Sequence, residues 1–313
     1  NGLNLIVIIA DTTRWDHLGA YGNRRVKTPN LDRLASEGVV FENAYAEGLP
    51  TIPCRRVYHS GRSIVHEKQQ WWRPLDPEDV TLAEVLKKAG FSTGFVVDTY
   101  HYFKPDMNFH RGYDSWQWIR GQETDLWISG PREQFDPGRH MPDHLRNPNY
   151  LRSMTQYMMN TSMRQGEDDY FCAQSCSAAM KWLEQNARQK PFLLWLDMFD
   201  PHEPWDAPPR FQKMYRQDYG YERRLFGYGV RHQDIRESDY PILRDLYAAE
   251  VTFSDHCIGR LIERIDQLKL RDDTIVVFST DHGTHLGELG CVQKTPGLLN
   301  SCVAHLPLLV RHP

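Results

Sequence analysis

Residues 3–10 read Leu-Asn-Leu-Ile-Val-Ile-Ile-Ala, and Asp11 follows at once. This short, β-branched, apolar run suits a strand buried on both faces. Working outward, Thr28-Pro29 opens a helix through Leu31, Leu34 and Ala35, with Thr28 as N-cap, Pro29 at the first helical position and Gly38 as the stop. A second helix is predicted from Asp79 to Ala89, ended by Gly90, and a second strand from Phe91 to Val97, ended by Asp98. Residues 168–189 read as a helix, followed by a strand from Phe192 to Phe199 ending at Asp200. From Leu243 to Leu268 the apolar residues keep helical spacing, which predicts a long amphipathic helix. Thr274–Phe278 reads as a strand running towards Asp281, and Leu306–Val310 as one more.

Strands alternating with helices predict an α/β fold: a mostly parallel central sheet with helices on both faces. In such sheets ligands bind beyond the carboxyl ends of the strands. Asp11, Asp98, Asp200 and Asp281 all stand just past such an end. A lone Asp there is an ordinary turn residue; four at one edge predict a shared polar site.

The chain has 313 residues, room for one large α/β domain or for two domains. Its charge is −4, from 37 basic and 41 acidic residues. That argues against a nucleic-acid binder, which needs a basic face. The longest unbroken apolar run, Leu5–Ala10, is far short of the ~20 residues a membrane-spanning helix requires. The chain opens into a strand with neither a leader nor an initiating Met, so the expectation is a cytoplasmic protein, or one whose leader has been removed. Six scattered Cys without a Cys-x-x-Cys pair predict buried thiols in a reducing compartment. Cys172 and Cys176, one helical turn apart, are expected to pack in the core. Asn160-Thr161-Ser162 has a glycosylation pattern and nothing more.

Residues 99–165 and 200–237 are rich in Pro, Trp, Tyr, Arg and His and show no clear period. Long irregular aromatic stretches form lids and pocket walls, or packed loops with satisfied indoles; composition does not separate these.

Four segments carry chemistry when taken together: Asp11-Thr12-Thr13-Arg14, Thr51-Ile52-Pro53-Cys54-Arg55, Asp200-Pro201-His202 and Asp281-His282-Gly283. They offer two carboxylates and an imidazole to one hard or borderline cation, Mn, Zn, Mg or Ca. They also offer a hydroxyl at a helix start and a nearby guanidinium. A Thr hydroxyl is a poor nucleophile unless a metal or base activates it.

These segments resemble the sulfatase family of the alkaline phosphatase superfamily. The matching series is IIADTTRWDHLGAYG (8–22), TPNLDRLASEGVVFENAYA (28–46), HSGR (59–62), FVVDTYH (95–101), DPHEPW (200–205) and STDHGTHLGELG (279–290), with Lys294 beyond. The resemblance covers nearly the whole chain. It implies that Asp11, Asp281 and His282 bind one divalent metal, with Thr51 in the nucleophile position and also on the metal. It further implies that Arg55 orients the nucleophile, while His101, His202 and Lys294 line a pocket for a small anionic ester and its leaving group. It also implies that residues 1–313 are the single large α/β domain, without the family's small C-terminal subdomain. Oligomeric state leaves no mark in the sequence.

The departures matter as much. Family sulfatases carry a Cys or Ser that is oxidised to formylglycine where this chain has Thr51; Cys54 stands three residues too late and lacks the Pro two positions on. Thr12 replaces a frequent Asp, Thr99 a frequent Lys, and His282 a frequent Asn. A formylglycine hydrate sheds sulfate by breaking its own C–O bond, which Thr cannot do. A phosphothreonine is cleared by in-line attack at phosphorus. The site also looks like that of phosphonate monoesterases. The expectation is therefore a metal-dependent phosphate or phosphonate ester hydrolase. The rivals are a sulfate ester hydrolase and a lapsed homologue that only binds an anion.

Overall fold

A computed structural model describes residues 2–63, 72–104, 106–216, 225–227, 229–295 and 297–313. The strands, in chain order, are β1 (Asn4–Ala10), β2 (Val39–Val40), β3 (Ala44–Tyr45), β4 (Ser92–Val97), β5 (Ser115–Trp118), β6 (Phe192–Met198), β7 (Thr274–Ser279), β8 (His285–Leu286), β9 (Val292–Gln293), β10 (His305–Leu306) and β11 (Leu308–Arg311). The α-helices are α1 (Pro29–Ser36), α2 (Thr51–Ser60), α3 (Leu82–Lys88), α4 (Pro148–Asn160), α5 (Phe171–Asn186), α6 (Pro209–Gln212), α7 (Tyr240–Gln267) and α8 (Ser301–Ala304).

Seven strands form the central sheet in the order β2-β11-β7-β1-β6-β4-β5. The five from β7 to β5 run parallel, while β11 is antiparallel to β7 and β2. The expected mostly parallel α/β sheet is what the chain forms. β1 sits in its middle, and its side chains alternate between two cores. Ile6, Ile8 and Ala10 face the larger core with α1, α5 and α7; Val7 and Ile9 face the smaller one with Ile52 of α2 and Ala83 of α3. Burial on both faces explains why β1 and β6 are continuous apolar runs.

Register fixes the site. Asp197 of β6 pairs with Ile9 of β1 and Val97 of β4, and Ile9 pairs with Ser279 of β7. The carboxyl ends of β1, β4, β6 and β7 are therefore level, and the residues that follow them share one edge.

Several expectations change in detail. Thr28 does not cap α1 through its side chain; its hydroxyl accepts from the Gly19 amide (2.9 Å) and donates to Asp32 (3.0 Å). The true side-chain cap is Thr81 on α3, in a reciprocal capping box with Glu84. The final strand is broken at Pro307 into β10 and β11. Within residues 99–165, read as irregular, lie β5 and the 13-residue α4. The buried face of α4 is Tyr150, Ser153, Met154, Gln156 and Tyr157, too polar to register as an apolar stripe. Asn147 accepts from the amides of Asn149 and Tyr150 and caps α4, with Pro148 behind it.

The tryptophans between residues 71 and 118 differ in role. Trp116 and Trp118 stack on Phe103 as packing, whereas Trp72 lines a cleft. Trp71 lies outside the described residues. Cys172 and Cys176 are buried in the core as expected. Asn160 is buried, and its amide donates to the carbonyls of Gly121 and Asp125, which removes it as a glycan acceptor in the folded chain. Among the described residues no helix is long and apolar enough to cross a membrane.

Candidate active site

The pleat decides which acids meet. Asp11 and Asp197 continue the face of Ile9 and Trp195, towards α2. Asp98 continues the opposite face of Val96 and accepts from Ser175 of α5 (3.1 Å) and the Phe199 amide (2.5 Å). Asp200 accepts from Gln122 (3.0 Å). The expected four-Asp site is therefore corrected: Asp11 and Asp281 share a centre, Asp98 and Asp200 lie outside it, and Asp197 joins it.

That centre is built round Arg55, fully buried one turn into α2. Its guanidinium meets Asp197 (Nη2 2.8 Å, Nε 3.1 Å), lies 3.1 Å from Asp11 Oδ2 and bonds Asp281 Oδ2 through Nη1. Asp197 also accepts from the hydroxyls of Thr99 (2.9 Å) and Tyr102 (2.7 Å). Thr12, at φ +67°, turns its amide towards Asp281 Oδ1 (3.2 Å) while its hydroxyl donates to Asp11 Oδ1 (2.6 Å). Gly283 is required where it stands: a Cβ there would lie 2.0 Å from the Cys302 carbonyl oxygen.

Thr51 is the first residue of α2, at the positive end of that helix. Its Oγ1 lies 3.4 Å from His282 Nε2. His282 Nδ1 faces the Gly283 carbonyl at 3.0 Å, which assigns the proton to Nδ1 and leaves the Nε2 lone pair free. Nε2 is also 3.4 Å from Asp281 Oδ2 and 3.8 Å from Asp11 Oδ1. Burial pushes the His282 imidazole down to about 4, so it is neutral at pH 7.

Asp11, Asp281 and His282 each offer a ligand atom, all within 4.8 Å of one another. Three features suit these residues to a divalent cation. Asp11 Oδ2 is buried with no well-aligned hydrogen-bond donor, only the Arg55 charge 3.1 Å away. Three carboxylates (Asp11, Asp197, Asp281) around one guanidinium leave two negative charges unmatched. Carboxylate and imidazole donors suit a hard or borderline metal. Without a cation the strain falls on Asp11, whose carboxyl is pushed well above the usual range by burial and by Asp281. Asp281 stays ionised against its burial chiefly because of the Arg55 charge.

Thr51 also lines a cleft of about 750 Å³ that opens to solvent. Its walls include His101, His202, Lys294, Glu123 and Glu203. Lys294 Nζ lies 2.5 Å from His202 Nε2 and 3.2 Å from Glu203 Oε1. His202 Nδ1 faces the Glu203 carbonyl oxygen (2.8 Å), so Nε2 accepts a hydrogen bond from Lys294 Nζ. Burial and then Lys294 hold His202 well below its ordinary value. His101 Nε2 is 3.2 Å from Glu123 Oε2.

Apart from Asp98 and Asp200, the residues expected at the site lie in one of two adjoining places. Asp11, Arg55, Asp281 and His282 form the buried centre; His101, His202 and Lys294 line the cleft; Thr51 belongs to both. Sequence reasoning missed Asp197, Tyr102, Glu123 and Glu203, and it marked Thr12 only as a departure from the family. Asp197 had a signal: one acid inside a fully apolar strand must find a partner. Glu123, at φ +50°, had none.

A parallel α/β sheet with a hydroxyl, two carboxylates and an imidazole at its carboxyl edge is the architecture of the alkaline phosphatase-like fold. Residues 3–310 match the sulfatase family model, and the chain belongs to the sulfatase family. It is 25% identical to iduronate 2-sulfatase of Homo sapiens, over 100% of this chain and 60% of that protein. It is 24% identical to an arylsulfatase of Clostridium perfringens, over 99% of this chain and 68% of that protein. The phosphonate monoester hydrolase of Agrobacterium radiobacter shares the fold, with a TM-score of 0.75 and 21% identity over 99% of this chain and 68% of that one. The chain thus spans about 60% of the length of iduronate 2-sulfatase. Family members are ester hydrolases that bind a divalent metal.

Proposed function

We propose that this chain is the α/β part of a metal-dependent hydrolase of small anionic esters. In this reading Thr51 is the transient acceptor, and phosphate or phosphonate esters are the preferred substrates. The observation that carries the reading is Thr51 Oγ1 at the head of α2, open to the cleft and 3.4 Å from His282 Nε2 within the Asp11–Asp281–His282 cluster. A divalent cation held by Asp11, Asp281, His282 and the Thr51 oxygen would polarise the ester and offset charge on its oxygens.

The residues do the rest. Asp11 and Asp281 give the cation its charge match. Arg55 holds both carboxylates and keeps the centre from collapsing by mutual repulsion. Thr51 gives its hydroxyl proton to solvent in the cleft as Oγ attacks phosphorus, forming the Oγ–P bond while the ester P–O bond breaks. The leaving oxygen takes its proton from Lys294 Nζ, which the neutral His202 orients as acceptor; His101 closes the same wall. Water then attacks phosphorus and passes a proton to Lys294, the Oγ–P bond breaks, and the Thr51 oxygen takes a proton from solvent, restoring both groups. Threonine favours phosphorus over sulfur because its Cβ carries no second hydroxyl with which to expel a bound sulfate.

A second reading, sulfate ester hydrolysis by Thr51 or directly by water, is supported by the sulfatase names of the relatives. A metal-loaded sample assayed in parallel on 4-nitrophenyl phosphate, 4-nitrophenyl phenylphosphonate and 4-nitrophenyl sulfate separates the two. Thr51→Ala is expected to lower turnover at least about 1,000-fold with metal content unchanged. Full activity in that variant would overturn the assignment of Thr51. A strong preference for the sulfate would overturn the substrate, and no turnover of any ester by the wild type would favour an anion-binding homologue.

A further inference from the structure

We propose that the cleft contains a second anion-binding subsite, formed by Arg132 and Arg152, which takes an anionic group on the substrate other than the ester itself. The inference deepens the proposed function, and it rests on that reading only for what occupies Thr51.

The cleft is too large for an ester headgroup alone. At about 750 Å³ it has the size of a pocket that encloses a whole organic ligand. Part of its wall comes from α4, with Asn149, Arg152, Ser153 and Gln156, and from the turn that carries Arg132. Among the described residues most arginines meet a carboxylate; Arg120, Arg139 and Arg146 pair with Asp125, Asp136 and Asp143. Among the described residues Arg132 and Arg152 meet none. Their partners are neutral oxygens: Arg132 Nη1 donates to Gln156 Oε1 (3.4 Å) and Nη2 to the Arg152 carbonyl (3.4 Å), while Arg152 Nη2 donates to Asn149 Oδ1 (2.8 Å).

These contacts orient without neutralising. Gln156 Nε2 is committed to the Ile128 carbonyl (2.9 Å) and to Asn160 Oδ1 (3.0 Å), which fixes the amide and points Oε1 at Arg132. Of the two carboxylates in the cleft, Glu203 is matched by Lys294, whereas Glu123 faces a His101 that burial keeps neutral and so retains its charge. The two guanidinium groups outnumber that one carboxylate and leave the cleft with a net positive charge on planar donor forks. Such forks bind a carboxylate, sulfate or phosphate in bidentate fashion. Trp72 and Leu126, both exposed on the cleft wall, supply apolar surface for a carbon skeleton. The substrate class is therefore an ester whose alcohol part carries at least one further anionic group.

The test is binding to the metal-loaded full chain by calorimetry, with matched probes that differ by one anion. One pair is fructose 6-phosphate and fructose 1,6-bisphosphate; the other is a disaccharide carrying one sulfate and the same disaccharide carrying two. The wild type is expected to bind the two-anion member of at least one pair about tenfold more tightly. In R132A/R152A that preference disappears, while affinity for the one-anion member stays within twofold. R132K/R152K, which keeps the charge but not the fork, is expected to fall between them. No preference in the wild type for either pair, or a preference retained in R132A/R152A, overturns the proposal. If the double variant does not fold, R152E alone must still reduce the preference. Binding is read without turnover, so failure of Thr51 as nucleophile leaves this result standing, and the reverse holds too.

Discussion

His59 stands against Trp195 (ring centroids 4.4 Å apart) among Phe95, Tyr102, Phe109 and Tyr113, fully buried. Burial and then the Arg55 charge push its imidazole down to about 3. It is neutral in the folded chain, whereas in the unfolded chain it takes up a proton below about pH 6.5. The unfolded state then binds more protons, so the His59 contribution to stability is full above pH 6.5 and falls as the pH drops towards 3. The loss is about 1.4 kcal/mol per pH unit. His59→Phe keeps the ring and removes the titration. Relative to wild type, its unfolding free energy should rise by about 2 kcal/mol between pH 7 and pH 5. Equal pH dependence in urea unfolding of the two proteins would refute this. At this scale the sequence was legible wherever a residue sat in a motif, as Asp11, Thr51, Asp281 and His282 did. It was silent on Glu123 and Glu203, whose partners come from distant segments.

At the scale of elements, β6 brings an acid into the sheet. Asp197 receives bonds from Arg55 of α2, from Thr99 after β4 and from Tyr102 in the turn beyond it. It ties α2, and with it Thr51, to the carboxyl edge of the sheet. Asp197→Asn keeps the shape and leaves Arg55 its Asp11 and Asp281 partners, but it removes an acceptor of four buried hydrogen bonds and places an amide donor against other donors. Each buried donor left without an acceptor costs about 1–3 kcal/mol. Denaturant unfolding should show that loss, with a fall in activity larger than Thr99→Val produces. Strands β1, β4, β6 and β7 and helices α5 and α7 were readable because burial wrote their period into apolar residues. α4 was not, since Tyr, Ser, Met and Gln make its buried face. The Asn147-Pro148 start was there to be used.

For the molecule as a whole, charge is the controlling quantity. The chain carries −4 overall, yet the cleft is locally cationic while the centre below it holds two unmatched negative charges. A cation that binds only the folded chain stabilises it by mass action. Chelation should therefore lower the thermal midpoint and abolish turnover, and added Mn²⁺ or Zn²⁺ should restore both. Asp11→Asn separates the two states. It removes the carboxylate that burial and Asp281 most oppose, so the chelated variant should be at least as stable as chelated wild type. With metal added it should gain little. A variant that gained as much as wild type would exclude Asp11 as a ligand.

The sequence by itself determined the fold class, the order of strands and helices along the chain, and the ordered motifs that bring Asp11, Thr51, Arg55, Asp281 and His282 to one family pattern. Those features are local, because apolar period, caps and motif spacing lie within short windows. Only the tertiary structure decided that Asp197 joins the centre while Asp98 and Asp200 leave it. It alone decided that His202 accepts a hydrogen bond from Lys294, and that Arg132 and Arg152 face the cleft with no carboxylate partner among the described residues. Pleat alternation, strand register and the meeting of segments more than 90 residues apart, as His202 and Lys294 are, settle those outcomes. No short window of sequence contains them.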